Sequence, residues 1–138
     1  MNSTIPEIGL PQIESLLKFL PIFEAPGYQF GHWSITSNDI SPSFSFSHDV
    51  TEFIRTLYKQ DFIVRFDWSN LHREIFLYQT GISAIQNADL ITLRKLLTAH
   101  IRADRLVEGH LAKLFESGYI TAILRRFKQL YDQMLANN

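Results

Sequence analysis

The last third of the chain decides the fold class. Residues 89–134 read DLITLRKLLTAHIRADRLVEGHLAKLFESGYITAILRRFKQLYDQM. Apolar residues recur there at intervals of three and four, the period of a helix that buries one face. We predict three successive helices: one that Asp89 caps, one that Gly118 ends, and a last one over 120–134.

Earlier parts of the chain add helices of the same kind. The same reasoning predicts three of them: one over 11–24 that Pro21 kinks or ends, one from Ser47 or Asp49 to about Gln60, and one from Asp67 or Ser69 to Gly81. Residues 61–68 are predicted to be an extended connector because they are aromatic and β-branched.

Residues 28–47 have a different pattern. Aromatic and polar residues alternate in Ser43-Phe44-Ser45-Phe46-Ser47, which is typical of a short strand. We predict a small β-hairpin or a long ordered loop, with Ser37-Asn38-Asp39 as its turn. Trp33 in this region has two interpretations, a buried anchor of the loop or part of a binding surface.

Together these elements predict an all-α, or predominantly α, fold. We expect an irregular bundle of about five to six helices, with the possible hairpin near residues 28–47. The 138 residues are expected to form a single domain, 1–138, in which residues 1–10 are a flexible N-terminal segment.

Composition excludes several classes of protein. The chain has no cysteine, so it has no disulfides, no thiol nucleophile and no zinc site with sulfur ligands. It lacks a basic start followed by an apolar run, and no stretch approaches the roughly 18 apolar residues that span a bilayer. A soluble cytoplasmic protein with no membrane partner is therefore expected.

Charge is distributed unevenly along the chain. Residues 1–88 carry five basic and nine acidic side chains, whereas residues 89–138 carry eight basic and five acidic ones. Arg125, Arg126 and Lys128 lie on the polar side of the predicted last helix, where they could contact a phosphate backbone. A net charge of −1 makes nucleic acid an unlikely partner.

The densest chemistry lies between His100 and His110. We call these residues the polar seam: His100, Arg102, Asp104, Arg105, Glu108 and His110. Helical spacing puts His100 and Asp104 on one face, which also carries leucines, so the imidazole is predicted to point inward. In a pocket, Asp104 would orient His100 as a general base while an arginine held an anion.

A structural interpretation of the polar seam remains open. Two histidines between helices can satisfy their ring nitrogens internally, while the charged residues form an ordinary ion-pair network. The ten-residue spacing of the histidines matches no metal motif, so no metal and no cofactor are expected. Asp67 and Trp68, in Phe66-Asp67-Trp68, are further candidates for ligand binding, or else a helix cap and a core residue.

Several tracts resemble a family of uncharacterised bacterial proteins, a domain of unknown function. They are Arg102-Ala103-Asp104-Arg105, Glu108-Gly109-His110-Leu111, residues 116–126 and Phe66-Asp67-Trp68. The resemblance implies a class of protein but no activity.

Function itself stays unknown at this level. The sequence favours a small cytoplasmic bacterial binding or interaction module, with a homodimer or another protein as its partner. The alternatives are an enzyme that acts on a small anionic substrate with a histidine general base, and a nucleic-acid-associated accessory protein.

Overall fold

The structure, a computed structural model, describes residues 5–34, 43–64 and 85–137. Their elements follow one another along the chain as α1 (Leu10–Leu17), α2 (Leu20–Glu24), β1 (Gly31–Ser34), β2 (Ser43–Phe46), α3 (His48–Lys59), α4 (Leu90–Leu106), α5 (His110–Glu116) and α6 (Tyr119–Ala136). The predicted fold class is confirmed: the protein is predominantly α-helical with one small antiparallel hairpin. No helix among these residues is long and apolar enough to cross a bilayer.

Helix α6 is the central element of the bundle. It packs against α1, α2, α4 and α5. Its inward positions are fully buried and lie where the helical period predicted them: Ile120, Ile123, Leu124 and Phe127. Burial of such side chains contributes roughly 1.5–3 kcal/mol each to folding, so this one helix organises much of the core.

A cluster of aromatic rings joins the hairpin region to the helices. Phe23 lies at its centre, with ring centroids 5.5 Å from both Phe30 and Phe53 and 5.7 Å from Phe115. These three contacts are edge-to-face, the geometry that aromatic quadrupoles favour. The cluster therefore fixes α2, α3, α5 and the start of the hairpin relative to one another.

Two strands of four residues form the hairpin. Trp33 pairs with Phe44, and their rings meet edge-to-face with centroids 5.1 Å apart. Ser47 N–H donates to the carbonyl of Phe30 at 2.7 Å and extends the pairing toward α3. The predicted turn at Ser37-Asn38-Asp39 lies outside the described residues.

The N-cap residues predicted from the sequence are correct for two helices. Ser47 Oγ accepts from Val50 N–H at 3.2 Å, and Asp89 Oδ1 accepts from Thr92 N–H at 2.9 Å, so both predicted N-caps are confirmed. Pro21 acts differently from a residue that ends a helix. Helix α1 already ends at Leu17. Pro21 lies in the first turn of α2, where its missing N–H is not needed.

The connector after α3 is described only in part. Residues 62–64 are neither helix nor strand, and Phe62 and Val64 are buried. The predicted helix to Gly81, together with Asp67 and Trp68, lies outside the described residues.

Candidate functional site

The two histidines of the polar seam contact each other directly. His100 lies on the inner face of α4 and is only 1 % exposed. Its Nδ1 is 2.9 Å from Nε2 of His110, which is half-buried at the first position of α5. The sequence predicted that His100 points inward, and the structure shows this orientation.

Tyr119 completes a hydrogen-bonded chain of three side chains. Its hydroxyl lies 3.1 Å from His100 Nε2, so both ring nitrogens of His100 have partners. The Tyr119 side chain is itself buried, and its ring meets the imidazole edge-to-face. The chain His110–His100–Tyr119 thus links the first residues of α5 and α6 to the middle of α4.

Two glycines place His110 and Tyr119 in this arrangement. Gly109 and Gly118 have φ of +84° and +86°, which is the left-handed region that side chains disfavour. Each glycine turns the chain sharply and begins a helix at the next residue. Sequence reasoning missed Tyr119, although the recurrence of glycine followed by a ring at both helix starts was a signal for it.

Burial keeps the imidazoles of His100 and His110 uncharged. Burial and, to a smaller extent, the nearby His110 together lower the pKa of His100 from 6.5 to about 4. Burial also lowers the pKa of His110, although the carboxylate of Asp104 acts in the opposite direction. Both imidazoles are therefore neutral near pH 7, with a single proton in each hydrogen bond of the chain.

Asp104 has a different partner from the one expected. It was expected to orient His100, but its Oδ1 accepts from the backbone N–H of Leu111 at 3.0 Å. Leu111 lies in the first turn of α5, whose N-cap residue is a glycine with no side chain to do this. Asp104 therefore caps α5 from the neighbouring helix.

Arg105 and Glu108 of the polar seam reach other elements of the fold. Arg105 donates from Nη2 to the hydroxyl of Tyr58 on α3 at 3.1 Å. Glu108 accepts from Phe44 N–H on β2 at 3.4 Å, and Arg102 is half-buried on α4. Arg105 and Glu108 thus connect the α4–α5 turn to other elements and form no shared anion cradle with the histidines.

An apolar surface surrounds the turn between α4 and α5. Leu106 is 88 % exposed and Val107 is 58 % exposed, although the helical period of the sequence places both on an apolar stripe. Trp33 is 42 % exposed and lies against Gly109, where a Cβ would be 2.4 Å from its Cη2 atom. We call Trp33, Phe44, Leu106 and Val107 the turn face.

Trp33 fits both predicted interpretations in part, as an anchor of the hairpin and as part of an exposed surface. One side of the indole packs on Gly109 and Phe44, as an anchor does, and the other side is open.

The basic residues of α6 are engaged within the protein. Arg125 forms an ion pair with Glu24 at 2.8 Å, and Lys128 forms one with Asp132 at 2.7 Å. Arg126 donates from Nε to the carbonyl of Ala88 at 2.8 Å. All three basic side chains therefore have partners within the protein.

Metal binding has no support in the described part of the chain. Within residues 5–34, 43–64 and 85–137, no group of three or more histidine and carboxylate side chains is placed to hold a metal ion.

Comparison with protein families identifies the class of the chain. Residues 9–133 match DUF6508, a family of unknown function, and the chain belongs to this family. The resemblance seen in the sequence is thereby confirmed at the level of the family. Searches among curated proteins and among solved structures found no match.

Proposed function

We propose that this protein is an interaction module that binds its partner through the turn face. The observation that carries the proposal is the exposure of Leu106 and Val107, 88 % and 58 %, in the turn whose Gly109 lies against the partly exposed Trp33. Contiguous apolar surface that includes a tryptophan is the usual centre of a protein–protein contact. Single exposed leucines are common, but three such residues in one place are not.

A second copy of the chain is the partner that the charges favour. Arg105 and Glu108 lie on either side of Leu106 and Val107 along the turn. In a two-fold contact the same patch meets itself, which allows Arg105 of one copy to pair with Glu108 of the other. Both side chains are exposed, and an arginine has donors to spare beyond its bond to Tyr58.

The hydrogen bond between His100 and His110 supports the turn face from inside the protein. His110 follows the turn directly, and its bond to the buried His100 holds the start of α5 against α4. The Asp104 cap on Leu111 restrains the same place. The polar seam then serves to fix the shape of the turn face, so that little conformational entropy is lost on binding.

Self-association tests the proposal. Sedimentation velocity over a wide range of concentration should show a monomer–dimer equilibrium. Leu106→Glu should weaken the dimer by at least about tenfold, because it puts a charge at the centre of the contact. Leu135→Glu, at an exposed leucine near the end of α6, is the matched control and should leave the equilibrium unchanged.

A charge swap tests the two-fold geometry separately. Arg105→Glu should weaken the dimer, and the double variant with Glu108→Arg should restore it. A wild-type protein that stays monomeric throughout, or a dimer that Leu106→Glu leaves intact, would overturn the proposal.

The cellular setting belongs to the same proposal. We place the protein in the bacterial cytoplasm, which the absence of cysteine and the resemblance to bacterial proteins support. The alternative of a histidine general base acting on a small anion stays a prediction. Of the two arginines that could hold the anion, Arg105 donates to Tyr58.

A further inference from the structure

A cavity of about 410 Å³ lies at the beginning of α4, away from the turn face. Its lining residues are Ile5, Glu7, Ile8, Leu90, Ile91 and Arg94. Four of them are aliphatic, so the walls are mainly apolar. The volume falls at the lower end of the range of small-molecule sites, roughly 300–1,000 Å³.

Arg94 is the unusual member of this cavity. The residue is only 3 % exposed, and Nη2 donates to the backbone carbonyl of Asp61 at 2.6 Å. Its Nε is buried and has no hydrogen-bond partner in the described structure. Glu7 lines the same cavity, but no ion pair joins it to Arg94 among the contacts that the structure describes.

A guanidinium in this position lacks its usual compensation. Burial lowers the pKa of Arg94, and the attraction of Asp61 offsets this only in part. Arginine nevertheless keeps its charge at any ordinary pH. Buried charges are normally paired, and a buried donor without an acceptor destabilises the fold, so Arg94 has one N–H that no acceptor among the described residues satisfies.

We propose that the cavity binds a small amphipathic carboxylate, whose carboxylate accepts from Arg94 and whose hydrocarbon part lies along Ile5, Ile8, Leu90 and Ile91. A planar guanidinium matches a carboxylate in geometry. A carboxylate suits the site better than a phosphate, because Glu7 lines the cavity and repels the doubly charged group more strongly than the singly charged one.

Octanoate and 1-octanol are the probes, because they share the chain and differ in the charged group. Calorimetric titration of the full chain should show octanoate binding at least about tenfold more tightly than 1-octanol. Equal affinity for both, or no binding of octanoate, would overturn the proposal. These results are independent of whether the protein dimerises through the turn face.

Variants assign the binding to this cavity. Arg94→Lys keeps the charge but loses the planar donor pair, and it should weaken octanoate binding by about tenfold while 1-octanol is unaffected. Because Arg94 also holds the Asp61 carbonyl, this variant could lose stability. Glu7→Gln, at an exposed residue, avoids that difficulty and should tighten octanoate binding by roughly two- to fivefold with no change for 1-octanol.

Ile91→Trp would narrow the cavity and should weaken both probes together. Octanoate binding that is indifferent to both Glu7→Gln and Ile91→Trp would place the ligand elsewhere and overturn the proposal.

Discussion

His100 Nδ1 and His110 Nε2 lie 2.9 Å apart, so the buried ring of His100 and the half-buried ring of His110 share one proton between them. Adding a proton to both imidazoles would place two cations in contact inside the bundle. Such an arrangement is strongly disfavoured where water cannot screen the charges. The folded protein therefore favours the neutral form of this pair. Protonation of the pair at low pH should destabilise the fold.

The stability of the protein should fall as the pH decreases from about 6.5 to about 4. The pKa of His100 is about 4 in the folded protein, against an ordinary value near 6.5 when the chain is unfolded. Between these values the unfolded chain binds a proton that the folded protein does not. The free energy of unfolding should therefore decrease with falling pH, by up to about 3 kcal/mol from this one group. Urea unfolding at several pH values measures it.

Two variants isolate the contribution of His100 from that of the carboxylates. His100→Gln removes the titrating group, so its stability should depend less on pH in this window. His32→Gln, at an exposed histidine, should keep the slope of the wild type. Identical slopes for the two variants would show that His100 does not resist protonation in the folded protein.

Gly109 should tolerate alanine far less well than Gly27. Both have positive φ, +84° and +75°, so alanine costs about 1–2 kcal/mol of backbone strain at either position. At Gly109 the added Cβ would also lie 2.4 Å from Trp33 Cη2, whereas at Gly27 it would meet nothing within 4 Å. Thermal unfolding should show Gly109→Ala to be the more destabilised by a further 1–3 kcal/mol or so.

Removing the indole should relieve that difference. In the background Trp33→Leu, alanine at 109 should cost about as much as alanine at 27. A clash that persists without the indole would mean that Trp33 is not what restricts Gly109.

Asp104→Ala should destabilise the protein by about 1–2 kcal/mol, because Leu111 N–H loses its acceptor at the start of α5. Asp132→Ala is the matched control, since among the described contacts it breaks an exposed ion pair with Lys128, and it should cost less than about 1 kcal/mol. Chemical denaturation compares the two. Equal losses would contradict the capping role of Asp104.

Much of the fold follows from local patterns in the sequence. Ser47 and Asp89 cap helices because their side chains reach N–H groups only three residues away. The burial of His100 follows from its place on the leucine face of α4. Such features depend on the helical period and on neighbours along the chain, which a single sequence contains.

Features that depend on distant parts of the chain could not be predicted in the same way. Asp104 caps a helix to which it does not belong, and Tyr119 reaches His100 only after two sharp turns. Arg94 is buried because it lies beneath Asp61 and the segment that contains Ile8, which are far away in sequence. The helical period does place Leu106 and Val107 on an apolar stripe, but α4 ends there and leaves both exposed.

Tyr119→Phe should destabilise the protein although it removes one oxygen atom only. The change leaves the buried Nε2 of His100 without a partner, which costs roughly 1–3 kcal/mol. It should also shift the imidazole ¹⁵N resonances of His100, because Nε2 loses its hydrogen bond to the Tyr119 hydroxyl. Tyr58→Phe is the matched control at an exposed tyrosine, whose hydroxyl contacts only the exposed Arg105 among the described hydrogen bonds, and it should change stability by less than about 0.5 kcal/mol. If urea unfolding finds both variants equally stable and the His100 resonances unmoved, the three side chains do not form one hydrogen-bonded chain in solution.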